Sequence, residues 1–195
     1  MAAKDILAYL QAGYKKTTDM SVIKFPMLDR LILTPMELNP ALKKFPWVAA
    51  GILLIFGLQP SGVLFKQAWS NGLLFLVMAL MAVFSGAFAT PVLLPFVPFR
   101  SFAIKGWVVG ILSTFLVARF FGLSISQDAI LLIVAYILFP ALTSYIALQF
   151  TGATTFTGMS GVKKELKIVI PLYLGATSIS LILMIVFKLR EWGVV

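Results

Sequence analysis

The residues of this chain that could do chemistry are few, and their types narrow the options at once. The 195 residues include no Cys and no His. That removes disulfides, the usual zinc, haem and iron–sulfur ligands, and the thiol and imidazole catalysts. The acids are Asp5, Asp19, Asp29, Glu37, Asp128, Glu165 and Glu191. All fall in connections or near the ends of apolar runs, whereas ion-coupled carriers keep ionisable groups inside the bundle. The run QFTGATTFTGMSGVKKE at 149–165 is rich in Thr, Gly and Ser and ends in Lys163 and Lys164. Backbone N–H groups and lysines of that kind can hold an anion, but the ordered spacing of a phosphate loop is missing. The run reads better as a docking surface for a cytoplasmic partner. Thr143, Ser144 and Tyr145 follow Pro140 and can give hydroxyls to the carbonyl of Tyr136, which the proline leaves without a donor. The 8 methionines offer soft thioethers, but scattered Met in an apolar chain is normally packing. No catalytic, cofactor-binding or metal-ligating set is assigned.

The elements that hold these residues are membrane helices. Hydrophobic residues make up 61% of the chain and mean hydropathy is +1.01, more apolar than a soluble domain needs. The expected fold is all-α, an integral bundle of about five transmembrane helices. Spans are expected near 40–58, 72–90, 103–122, 130–150 and 166–187, each close to the roughly 20 residues that cross a bilayer. The first has only 13 strongly apolar residues, Pro46 to Leu58, and reaches 19 if counted back to Pro40 with Lys43 and Lys44 snorkelling. Residues 1–39 form a linker and 40–195 the membrane domain. Within the linker, Ala3 to Gly13 reads as an amphipathic helix with Ile6, Leu7 and Leu10 on one side. The run LTPMEL gives a second helix start, with Thr34 as N-cap and Pro35 at the first position. The first 45 residues lack the apolar core and small-residue site of a cleaved leader.

The stretch Ala79 to Gly106 organises the rest. Pro91, Pro95 and Pro98 should stop or bend the second span at the membrane edge, and Pro140 should interrupt the fourth. Arg100 and Lys105 then mark the water side. Gly106, Gly110, Thr114 and Ala118 recur every fourth residue, as do Ala82, Gly86 and Thr90, which lets helices approach closely. Arg119, near the end of the third span, snorkels.

Five spans place 12 of the 16 Lys and Arg on the N-terminal side; four spans, with the short first segment not crossing, would place 11 there. Both counts put the N-terminus in the cytoplasm of an inner membrane. The net charge of +9 is then a match to anionic membrane lipid, and no nucleic-acid partner is expected. Arg100, Lys105, Lys163 and Lys164 would form the basic face that meets lipid or soluble domains.

Four segments together carry a family resemblance: AAKDILAYLQAGYKKTTDM at 2–20, DRLILTPMEL at 29–38, LLPFVPFRSFAIKG at 93–106 and QFTGATTFTGMSGVKKELKI at 149–168. In this order they resemble the C-terminal part of the corrinoid protein of microbial mercury methylation. In that family a cytoplasmic corrinoid-binding domain precedes a linker and a membrane domain of about five helices. The resemblance spans nearly the whole chain. The family's corrinoid domain carries the motif Asn-x-Trp-Cys-Ala-x-Gly-Lys, and a chain without Cys lacks that domain. What the resemblance implies is a mercury methyltransferase system, in which a corrinoid (cobalamin) gives its methyl group to Hg(II) and a ferredoxin-like iron–sulfur protein reduces the cobalt. This chain would be its membrane anchor and platform, not catalytic alone. The competing expectation is an independent small transporter or channel for a metal ion or metal–thiol complex, motivated by the proline-broken second span.

Overall fold

A computed structural model of the chain describes residues 6–15, 27–63, 65–99, 101–123, 125–149 and 159–194. Its helices are α1 (Ile6–Gln11), α2 (Met27–Gly57), α3 (Phe65–Phe84), α4 (Thr90–Leu93), α5 (Phe102–Phe121), α6 (Ile125–Gln149) and α7 (Met159–Glu191). A π-helical turn, Ser85–Ala89, joins α3 to α4. Two-residue strands, β1 (Leu58–Gln59) and β2 (Gly62–Val63), pair antiparallel after α2, and Gly62 takes a φ of +119° in the tight turn.

Five helical stretches are long and apolar enough to cross a membrane: Leu31–Gly57, Gly72–Leu93, Phe102–Phe121, Ala129–Gln149 and Lys163–Glu191. The protein is a multi-pass membrane protein with an all-α fold. The outer faces suit that solvent. Leu112, Phe115 and Phe120 on α5 and Leu174, Ile182 and Ile185 on α7 are exposed and apolar, as a lipid-facing surface requires.

The centre is α6, which packs against α5, α7, α3 and the π turn. Its contact with α5 is made by the small residues of that helix. A Cβ added at Gly106 would lie 2.6 Å from the Cα of Ser144, and one at Gly110 would lie 2.7 Å from the Cα of Pro140. Gly86 in the π turn has the carbonyl oxygen of Thr143 at 2.7 Å by the same test. Three glycines from two chain segments thus let main chain meet main chain along α6. On the far side of the core, Phe56 of α2, Phe75 of α3 and Phe139 of α6 stack in series, with centroids 4.9 and 5.5 Å apart. Aromatic rings in such tilted contact bind beyond their area alone.

The structure corrects three expectations. First, α2 does not begin at Thr34. It runs unbroken from Met27 through Pro35, Pro40 and Pro46, so the expected boundary at 39/40 lies inside a helix. Leu38, Ala41 and Phe45 pack on Val83, Ala87 and Ile146, and Thr34 is buried. That packing holds the helix across the bonds the prolines lose, while the proline rings themselves face outward. Second, Pro91 is buried within helix instead of ending it. The irregularity lies upstream, where the π turn takes up one extra residue. The Thr90 N–H and the Thr90 hydroxyl both donate to the Ser85 carbonyl, the latter at 2.8 Å. Pro95 and Pro98 do lie past the helix end, where Phe96 and Val97 donate N–H bonds back to the Leu93 carbonyl. Third, α6 is continuous through Pro140. The third expected span, 103–122, is found as α5, which begins at Phe102, capped by Ser101, whose Oγ accepts from the Ile104 N–H. A left-handed Gly122 closes its other end. In the linker, α1 covers part of the expected helix, and Ile6, Leu7 and Leu10 are exposed on it.

Candidate functional site: the lysine-bearing end of the bundle

The starts of α5 and α7 and the end of α6 meet at one end of the bundle. Ser101 ties them. Its hydroxyl donates to Glu165 Oε1 at 2.5 Å while accepting from Ile104. The same Glu165 oxygen accepts from the Ala103 N–H at 2.8 Å. A carboxylate of α7 therefore caps the free N–H groups of α5, where the helix dipole favours negative charge. Two turns further on α7, Tyr173 meets Ser144 of α6 at 2.7 Å. Ser144 spends its one proton on the Ala103 carbonyl at 2.7 Å, so it accepts from the tyrosine. Thr143 donates to the Ala82 carbonyl of α3 at 3.3 Å. The Thr143 and Ser144 hydroxyls thus cross to other helices, in place of the local repair expected at Tyr136.

The sequence-derived basic residues separate into three groups. Lys105 stands on the first turn of α5 and its Nζ donates to the Leu94 carbonyl at 2.6 Å, closing the turn after α4. Lys163 and Lys164 stand side by side on α7 and are exposed. Arg100 lies outside the described residues, as does the segment 150–158 of the Thr- and Gly-rich run. Arg119 is exposed in the last turn of α5, at the opposite end. Reading the sequence missed Glu165 as a cap. The signal for it was Ser101 directly before an apolar run, which marks a helix start.

At the opposite end, Lys188 of α7 is buried, at 6% exposure. Its Nζ reaches Glu191 Oε2 at 2.6 Å and the Phe56 carbonyl at 3.2 Å, so the ammonium sits at the C-terminus of α2, where positive charge is favoured. Gln59 donates to Glu191, and the Trp192 indole donates to the Leu58 carbonyl. This clamp joins the last turn of α7 to the end of α2 and the hairpin.

Among the described residues no three of His, Cys, Asp and Glu come together as a metal would need. The buried Ser180 hydroxyl of α7 has no partner among them. The chain matches no protein-family model, no curated protein and no solved structure.

Proposed function

We propose that this chain is the membrane anchor and assembly platform of a corrinoid-dependent mercury methyltransferase, held in the inner membrane with its N-terminus in the cytoplasm. The partners and the reaction come from the sequence resemblance alone. The observation that carries a platform role is the division of the polar groups. Thr90, Thr143 and Ser144 bond main-chain carbonyls inside the bundle, and Glu165 is spent on the α5 cap. Lys163 and Lys164 remain exposed on a helix braced by that cap. Such an end is rigid and basic, as a docking face for a soluble domain should be. The orientation rests on the 12 Lys and Arg of that side.

The chain's own residues do not fit a corrinoid. It has no Cys or His to meet cobalt, and the buried Thr143 and Ser144 hydroxyls are already bonded to carbonyls. The corrinoid belongs to the separate soluble domain, and the iron–sulfur protein would meet that domain.

The test is binding of a purified corrinoid domain of this family to the chain in nanodiscs. Lys163→Glu with Lys164→Glu should weaken association by tenfold or more. Association unchanged by that double reversal refutes docking at this face. A transport reading is favoured by one observation, the π turn before buried Pro91, since interrupted helices often line substrate paths. Uptake of Hg(II) by vesicles carrying the chain alone would favour it over the platform.

A further inference from the structure

A groove of about 630 Å³ runs between the first turns of α5 and the facing turns of α7. Ile104 and Trp107 form one wall, and Ile168 and Leu172 form the other. Ala103 and Val169, both buried, make the floor. Lys164 stands at its rim, exposed. We propose that this groove holds one anionic phospholipid, with an acyl chain along the apolar walls and the headgroup phosphate on Lys164.

Three observations select that occupant. The walls belong to helices long and apolar enough to span a bilayer, and Ile104, Ile168 and Leu172 are 47%, 60% and 59% exposed. At that depth an open apolar wall meets acyl chains, and the volume is that of an ordinary ligand cleft. The second is charge. Glu165, also on the rim, has its Oε1 turned onto Ser101 and the Ala103 N–H, away from any headgroup. Lys105, on the same turn of α5, is engaged with the Leu94 carbonyl. Lys164, with exposed Lys163 and Lys167 beside it, therefore sets the sign at the rim. Basic pockets between membrane helices are where anionic headgroups bind. The third is Trp107, half-buried and about 8 Å along the helix from Phe102. An indole at that level is the interfacial anchor expected beside a headgroup.

Trp107 also supplies the readout, and no soluble domain is needed. The whole chain is reconstituted in phosphatidylcholine vesicles with a minor share of phosphatidylglycerol, and either lipid in turn carries brominated acyl chains. The quenching that disappears in Trp107→Phe is the share belonging to Trp107. Brominated phosphatidylglycerol should quench it about 5-fold more than its mole fraction predicts, the preference one surface lysine gives. Lys164→Gln should remove that excess, and Arg119→Gln, at the other end of α5, should leave it. Quenching in proportion to mole fraction overturns the proposal. So does an excess that survives Lys164→Gln, or one that falls equally in Arg119→Gln, since general attraction to charge would then suffice. The result is independent of whether a corrinoid domain docks.

Discussion

Replacing Gly110 with Ala tests whether α5 and α6 are held by main-chain contact. The new Cβ would lie 2.7 Å from the Cα of Pro140, 2.9 Å from the Cβ of Thr143 and 3.2 Å from the Pro140 carbonyl oxygen. Carbon atoms attract best at about 3.5–4.0 Å, so the helices must part by about 1 Å. None of the three atoms is the end of a flexible chain, and Pro140 itself is buried. A gap of that size costs about a quarter to a half of the dispersion well for each atom pair it opens. Overpacking of this kind costs about 1–3 kcal/mol. Alanine recovers up to about 1 kcal/mol of helix propensity, which at full recovery leaves a net loss of up to about 2 kcal/mol.

Gly175→Ala is the control. That glycine is also helical, and an added Cβ there meets nothing within 4 Å. It should be neutral or stabilising by up to about 1 kcal/mol. Unfolding in mixed micelles with rising dodecyl sulfate, followed by tryptophan fluorescence, compares the two. Gly106→Ala combined with Gly110→Ala should cost less than the sum, because the first substitution already separates the helices. If Gly110→Ala proves as stable as Gly175→Ala, close packing does not hold this seam.

Ser144→Ala removes the bond to the Ala103 carbonyl and strands the Tyr173 hydroxyl. It should cost about 1 kcal/mol in the same assay, and Tyr173→Phe should cost less once Ser144 is gone. Glu165→Gln keeps an acceptor but loses the charge at the α5 cap. It should destabilise by about 1 kcal/mol, seen as faster amide exchange at Ala103 and Ile104. Lys188→Met leaves the Phe56 carbonyl and Glu191 without their shared cation. It should cost about 1–3 kcal/mol and loosen the hairpin at Leu58, read as amide exchange in β1 and β2.

Apolar length was readable because lipid imposes it. A run such as Ile130 to Phe150 has little else to be, and the described helix Ile125–Gln149 matches it closely. The small residues of α5 were readable for a similar reason: a stripe at every fourth position is a surface before any partner is known. What remained hidden were the partners themselves. Ser144 near Pro140 suggested local repair, and only the arrangement of helices brings the Ala103 carbonyl and Tyr173 to it. Glu165 looked like one more loop charge until α7 was set beside the start of α5. The prolines of α2 misled because local backbone preference was weighed without the burial of Thr34 and the packing of Phe45.

The π turn shows why these features belong together. A buried Pro91 cannot donate to the Ala87 carbonyl, so a regular helix would lose a bond in lipid. One extra residue at Ser85–Ala89 lets Thr90 send two donors to the Ser85 carbonyl. The same turn presents Gly86 to the Thr143 carbonyl, on the stretch of α6 that Gly106 and Gly110 meet from α5. The buried proline, the π turn and the closest approach of three segments thus fall on one short stretch of the chain. Ser144, one residue beyond Thr143 on α6, in turn ties this stretch to Tyr173 of α7, two turns along that helix from the Glu165 cap.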